Sequence, residues 1–121
     1  LADAEERQRL IDMMGKMMAA FIVEELNTRR GHLVAEQAFM QEAIMDSRLR
    51  ELADLYLHQQ LESLMIATEL FGSSNPRLDA ELILMAMMSI EQRLLVHPEK
   101  ISEEFVEARM CNLLDKLLPR G

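Results

Sequence analysis

The stretch of sequence that decides the fold is the apolar run within Asp79–Ile90, which reads DAELILMAMMSI. On a helical wheel, the apolar residues from Leu82 onward point in every direction, and a helix that is apolar all round must be covered on all sides. The run is too short and too interrupted to span a membrane, which takes about 20 apolar residues. Because a chain of 121 residues has little material to cover this helix alone, we expect a second copy of the chain to cover it.

The composition indicates a single helical domain without disulfides. A domain usually takes about 100–200 residues, so residues 1–121 are expected to form one. Half of the residues are hydrophobic, and only four Gly and three Pro occur, which suits helices. Cys111 is the sole cysteine, so no intrachain disulfide can form, and a cytoplasmic location fits. The sequence shows no secretory signal, transmembrane segment or lipidation motif.

The charge of the chain argues against direct binding to nucleic acid. The formal net charge is −8, whereas phosphate contacts need clustered Lys or Arg side chains. Arg29 and Arg30 form the only basic cluster, beside Gly31, at the predicted end of a helix. At that position the arginines complement the helix dipole and cap its last carbonyls, so a phosphate site is not expected there.

Capping and turn residues divide the chain into five predicted helices. Asp3 followed by Glu6 forms a capping box, which opens a first helix that runs to about Thr28 and is stopped by Gly31. The second predicted helix covers about His32 to Met45, and the third is capped at Asp46-Ser47 and runs to Phe71. The fourth is capped by Asp79 and ends before Pro98, and the fifth is capped by Ser102 and ended by Pro119. No segment alternates strictly as a strand does. We therefore predict an all-α fold, a five-helix antiparallel bundle that dimerises through its last two helices.

Inward-facing polar residues predict a small-molecule cavity. Buried polar groups cost free energy unless they are hydrogen-bonded, and several on facing helices are typical of a ligand site with mostly apolar walls. Clustered methionines, which are flexible, would let such walls deform. The predicted ligand-binding residues are Met14, Met17, Met18 and Phe21 on the first helix, Gln37 and Gln41 on the second, and Tyr56, Gln60 and Leu64 on the third. In the alternative interpretation, the glutamines bond to each other or reach solvent, and the methionines fill an ordinary core.

The polar residues also bear on the kind of ligand. Glutamine is neutral and both donates and accepts hydrogen bonds, which suits an uncharged or mildly polar ligand. Glu25 continues the line of Met14, Met18 and Phe21 and is the one carboxylate predicted on this side. If Glu25 is buried there, a cationic ligand is favoured, since an unpaired buried charge is costly.

The sequence contains no recognisable constellation for catalysis or for a metal. A di-iron helical bundle would show Glu-x-x-His motifs on two helices, and none occurs. Asp54, His58 and Glu62 have the spacing for one helical face, but they are predicted to lie among carboxylates on an outer, solvated stripe. Cys111 is expected to pack as a small hydrophobe. We therefore predict neither an enzyme nor a metal or cofactor.

Three features of the chain belong together: five helices in order, an apolar fourth helix, and residues 97–104, which read HPEKISEE. With these features the chain resembles the C-terminal domain of TetR-family transcriptional regulators. The resemblance covers essentially the whole chain. In that family this domain binds an effector and dimerises, while an N-terminal helix-turn-helix domain binds DNA. Because residue 1 is Leu rather than Met, we expect the chain to be a fragment from which that domain is missing.

The resemblance implies a homodimer that responds to a small-molecule effector. The first four helices would enclose the effector, and the last two would form a four-helix bundle with their mates. We place the subunit contact at Met87 and Leu94 on the fourth helix and at Leu113 and Leu117 on the fifth. Operator DNA would be contacted only through the missing domain, and no membrane partner is expected. The alternative is a stand-alone helical interaction module whose apolar fourth helix binds a different protein.

Overall fold

The computed structural model describes residues 3–120, which form five α-helices joined by short connections. The helices are α1 (Ala4–Thr28), α2 (Arg30–Met45), α3 (Arg50–Leu70), α4 (Pro76–Val96) and α5 (Glu103–Leu117). One turn of 3-10 helix precedes α3, at Ser47–Leu49, and another precedes α5, at Pro98–Lys100. No strand occurs between residues 3 and 120, so the predicted all-α class is confirmed.

Side-chain caps fix two helix starts where the sequence predicted them. The backbone N–H of Glu6 donates to the Asp3 carboxylate at 2.7 Å, and the N–H of Phe105 donates to the Ser102 hydroxyl at 3.1 Å. Each bond satisfies a backbone N–H that has no partner within its own helix. The end of α1 at Thr28 is also confirmed.

Two other boundaries differ from the predicted ones. Gly31 does not stop α1, because the break is made by Arg29, with φ −130° and ψ 33°, and Gly31 is already the second residue of α2. Asn75, rather than Asp79, caps α4: its side chain accepts from Leu78 N–H at 3.3 Å, and Pro76 takes the first helical position. Asp79 instead lies in the first turn, where a carboxylate favours the helix dipole.

The start and the end of the third helix follow from local chemistry. Asp46 accepts a bond from the N–H of Arg48 at 3.0 Å, so it caps the 3-10 turn rather than α3 itself. Beyond the other end of α3, Gly72 has φ +78°, a left-handed conformation that glycine adopts without a steric penalty. The predicted stop at Gly72 is therefore confirmed.

The helices pack mainly as two pairs. α1 lies along α5, and α3 lies along α4, while α4 also contacts α1, α2 and α5. The core is formed mostly by α1, α4 and α5, and its fully buried residues include Ile11, Ile22, Ile83, Leu94, Val106, Met110 and Leu114. Leu94, predicted at a subunit contact, has no exposed surface and is buried in the core of its own chain.

Two small residues lie on the buried side of α1, between Ile11 and Ile22. Gly15 and Ala19 are buried, and a Cβ atom placed on Gly15 would lie 2.2 Å from the Sγ of Cys111 on α5. The two helices therefore approach closely at this point. The Cys111 thiol packs there and donates to the carbonyl of Ile11 at 3.8 Å, and burial raises the pKa of the thiol.

Arg7 joins the first turn of α1 to the end of α5. Its guanidinium donates to the backbone carbonyls of Asp115, Leu118 and Pro119 at 2.8, 2.9 and 2.8 Å, and to the Asp115 carboxylate at 2.8 Å. These acceptors include C-terminal carbonyls that have no partner within α5. The hydrogen bond from Arg7 to the Asp115 carboxylate lowers the pKa of Asp115. Arg7 is buried, although no pattern in the sequence distinguishes it from an exposed arginine.

One side of α4 remains uncovered. Leu78, Leu82 and Met85 are 54%, 46% and 64% exposed, at the spacing of a single helical stripe. The other apolar residues of the run are buried or half-buried by α1, α2, α3 and α5. Among the described residues, no helix has the length and apolar character required to cross a bilayer.

Candidate cavity between the first four helices

A cavity of about 410 Å³ lies where the end of α1 meets α2, α3 and α4. Its volume falls within the range of roughly 300–1,000 Å³ that small-molecule sites occupy. It is lined by Phe21, Glu25 and Arg29 from the end of α1, His32, Leu33 and Glu36 from α2, Tyr56, Gln60, Ser63 and Leu64 from α3, and Leu84, Met87 and Glu91 from α4.

Helical spacing places these side chains on one side of each element. On α3, Tyr56, Gln60 and Leu64 follow one another at four-residue steps, which keeps them on a common face. The start of α2 is held against the end of α4, because the Arg30 guanidinium donates to the carbonyl of Leu95 at 2.7 Å. That bond links two of the four walls of the cavity.

The structure brings some of the predicted ligand-binding residues into this cavity. Phe21, Tyr56, Gln60 and Leu64 line it. Gln37 lines a separate space of only about 40 Å³, which shares Tyr56 and Gln60 with the main cavity. Residues of α1 and α3 thus line one cavity, and those of α1 come from its C-terminal half.

The other predicted residues lie elsewhere. Met14 and Met18 are half-buried and pack against the core, while Met17 and Gln41 are exposed, Met17 by 65%. None of these four residues lines the cavity. On α1, the buried side is instead the one on which Gly15 approaches Cys111 of α5. Met87, predicted at a subunit contact, lines the cavity.

Three carboxylates line the cavity, and two of them have partners. Glu36 Oε1 accepts a bond from the Tyr56 hydroxyl and lies 2.8 Å from His32 Nε2. Glu25 Oε1 lies 3.5 Å from Arg29 Nη1, and its side chain is only 16% exposed. For Glu91, no hydrogen bond or ion pair is made with any group in the described part of the chain.

The surroundings of Glu91 favour its protonated form. Burial raises the pKa of Glu91 to about 7, and the nearby charges of Glu36 and Glu25 act in the same direction. Burial, followed by the hydrogen bond to Glu36, also raises the pKa of Tyr56, so the phenol stays neutral. Even with Glu91 protonated, the carboxylates of Glu25 and Glu36 outnumber the single guanidinium of Arg29 in the lining.

Neither Glu36 nor Glu91 was predicted to line the site. The residue spacing on α4 does, however, indicate that Glu91 faces inward. Leu84, Met87 and Glu91 are spaced i, i+3 and i+7, so they share one side of α4. A carboxylate on the same stripe as two apolar residues marks a polar group that faces inward. Glu36 carries no such mark, because α2 has only two buried residues, Leu33 and Ala43, with which to define its inner side.

Replacing Glu91 with glutamine should stabilise the empty protein more at pH 8 than at pH 5. A carboxyl whose pKa rises on folding is bound to its proton more tightly in the folded chain. Above pH 4.5, the Glu91 carboxyl ionises more readily in the unfolded chain than in the folded chain, and this difference destabilises the folded protein. The destabilisation is small near pH 4.5 and grows until the pH passes about 7. Allowing for its partial exposure, we expect Glu91→Gln to raise the free energy of unfolding by about 1–2 kcal/mol at pH 8 and by less at pH 5.

Urea unfolding followed by circular dichroism at the two pH values measures this effect. Glu24→Gln is the matched control, because Glu24 is exposed and lies outside the cavity while the change in charge is the same. An equal shift at pH 5 and pH 8 would contradict the unusual titration of Glu91.

Comparison with protein-family models and with curated proteins finds no match for this chain. What the cavity can hold therefore follows from its own lining. Within residues 3–120, no group of three or more His, Cys, Asp or Glu side chains is placed to hold a metal ion. Asp54, His58 and Glu62 are exposed, and the last two pair with each other at 3.2 Å. The cavity offers an apolar wall and a cluster of polar groups, which together suit a small amphipathic molecule.

Proposed function

We propose that this chain is the effector-binding and dimerisation domain of a TetR-like transcriptional regulator. The observation that supports this proposal is the cavity of about 410 Å³ between α1, α2, α3 and α4, the four helices that the resemblance assigns to effector binding. The proposed effector is a small amphipathic molecule, and the domain acts by binding it rather than by catalysis. The proposed setting is cytoplasmic, where the regulator meets its operator DNA.

The lining of the cavity fits an amphipathic molecule. Leu33, Leu64, Leu84 and Met87 offer an apolar wall, and methionine adapts its shape to different partners. The polar groups of the other lining residues fix the orientation of the ligand, because its polar end must lie toward them. A purely apolar molecule would leave those groups without partners.

Regulation in this proposal is a matter of differential binding. The dimer carries two DNA-reading domains, and only some arrangements space them for two operator half-sites. An effector changes DNA binding only as far as its affinity differs between those arrangements. α1 is the proposed connection, because it carries Phe21 and Glu25 in the cavity and is fixed to α5 by Arg7 near its other end.

The proposed subunit contact uses the uncovered side of α4. Leu78, Leu82 and Met85 expose apolar surface there, and Leu113 and Leu117 on α5 are half-buried. In the proposed antiparallel bundle, α4 and α5 would pack against the same helices of a second copy. Burial of this stripe would complete the covering that an apolar helix requires.

The test uses the whole chain with a panel of apolar and cationic compounds in a thermal-shift assay. We expect at least one compound to raise the unfolding midpoint, since a ligand at 100 times its Kd stabilises a protein by about 2.7 kcal/mol. Light scattering of the same sample should give the mass of a dimer. Gln60→Leu should change which compound is preferred, because Gln60 lines the cavity.

Gln59→Leu is the control, because Gln59 is exposed on the same helix and does not line the cavity. If no compound stabilises the chain and the chain is a monomer, the regulator proposal is wrong. The alternative, a helical interaction module that binds another protein through α4, would then be preferred.

A further inference from the structure

We propose that the cavity selects an organic cation, with its positive group among Glu25, Glu36 and Glu91 and its apolar body against Leu84 and Met87. This inference rests on the proposed function, because it specifies the chemical class of the effector.

The first argument is the charge of the lining. The cavity is lined by three glutamates, one arginine and one histidine. When the imidazole is neutral, the lining carries an excess of two negative charges with Glu91 ionised and of one with Glu91 protonated. Arg29 compensates weakly, since it is exposed and lies 3.5 Å from Glu25, at the long end of an ion-pair distance. A ligand of positive charge is therefore favoured over a neutral or an anionic one.

The second argument is that two carboxylates of the lining have oxygens without protein partners. These oxygens are accessible, since no buried side-chain oxygen or nitrogen in residues 3–120 lacks a hydrogen-bond partner. Both contacts of Glu36, from Tyr56 and from His32, are made to Oε1, so within residues 3–120 its Oε2 has no partner. Glu91 likewise has none in the described chain, and burial makes its ionised form costly. A cation placed between these two groups would supply the opposite charge that the protein itself does not supply.

The third argument separates an organic cation from a metal ion. Calcium and magnesium require several oxygen ligands at about 2.0–2.6 Å, and no such group of side chains exists within residues 3–120. The cavity instead offers apolar surface from Leu33, Leu64, Leu84 and Met87 beside the carboxylates. The rings of Phe21 and Tyr56 line the same space, and aromatic faces attract amines and quaternary ammonium groups.

The experiment compares three probes that share one apolar body. Isothermal titration calorimetry at pH 7.5 measures the Kd of 4-phenylbutylamine, which is a cation, of 4-phenylbutan-1-ol, which is neutral, and of 5-phenylpentanoate, which is an anion. We expect the amine to bind at least about tenfold more tightly than the alcohol, and the carboxylate to bind most weakly.

Charge-neutral variants then locate the positive group. Glu91→Gln should weaken amine binding at least about fivefold and leave alcohol binding within twofold of the unchanged protein. Glu36→Gln is a second variant with the same expected direction. Glu24→Gln should change neither affinity, because Glu24 has the same charge on α1 but does not line the cavity.

The outcomes distinguish this inference from the function on which it rests. If the alcohol binds as tightly as the amine, or if neither glutamate variant weakens the amine, the cation proposal is overturned while an effector cavity remains. If none of the probes binds, the cation proposal is overturned as well, and a negative compound panel beside it would remove the proposed function too.

Discussion

Replacing Arg7 with alanine should lower the free energy of unfolding by about 2–4 kcal/mol. The guanidinium is buried and donates to three backbone carbonyls at the end of α5, all within 2.9 Å. Alanine would leave those acceptors without donors in a poorly hydrated position. The expected loss comes mainly from these unmade hydrogen bonds, because the side chain of Asp115 is 41% exposed and solvent screens its ion pair.

Urea unfolding of two companion variants tests this explanation. Arg9→Ala removes the same charge from an exposed position on α1 and should change stability by less than about 0.5 kcal/mol. Arg7→Lys keeps the charge but loses the planar array of donors, so it should recover only a minor part of the loss. If Arg7→Ala and Arg9→Ala have the same effect, Arg7 does not hold α5 in place.

Gly15→Ala should destabilise the chain by about 2–3 kcal/mol, although alanine is the better helix former by about 1 kcal/mol. Its Cβ would stand 2.2 Å from the Sγ of Cys111, so α1 and α5 would have to separate or the thiol would have to move. The Cβ of Cys111 lies 3.6 Å from the same point, an ordinary contact. Most of the loss should therefore vanish when Gly15→Ala is made together with Cys111→Ala.

A double-mutant cycle measured by chemical unfolding isolates this contact. Gly31→Ala is the control, because an added Cβ there meets nothing within 4 Å, and it should leave stability unchanged or raise it slightly. Additive effects of the Gly15 and Cys111 substitutions would show that the close approach of the two helices is not what restricts residue 15.

The fold class could be predicted because local chemistry decides most helix boundaries. The caps at Asp3 and Ser102 and the left-handed stop at Gly72 depend on a few adjacent residues, and all three are found. The rotation of each helix about its axis is a different matter. α1 is apolar over most of its middle, so its wheel does not decide which side is buried. The close approach of Gly15 to Cys111 on α5 selects that side.

The candidate site was predicted in part for the same reason. Phe21, Tyr56, Gln60 and Leu64 lie on stripes whose direction the wheel gives correctly. The charged lining depends on how α2 and α4 are placed relative to α1 and α3, which no local pattern records. The burial of Arg7 was not predicted either. An arginine near a helix start is usually solvated, and only the tertiary contact with the end of α5 buries this one.

The length of α1 has a geometric consequence. This single uninterrupted helix carries Glu25 in the cavity wall and Arg7 at its opposite end, 18 residues apart, or about 27 Å at a rise of 1.5 Å per residue. A rod of that length amplifies small rotations. A tilt of about 5° about one end would displace the other by about 2 Å, close to the size of the helix shifts by which subunit interfaces switch.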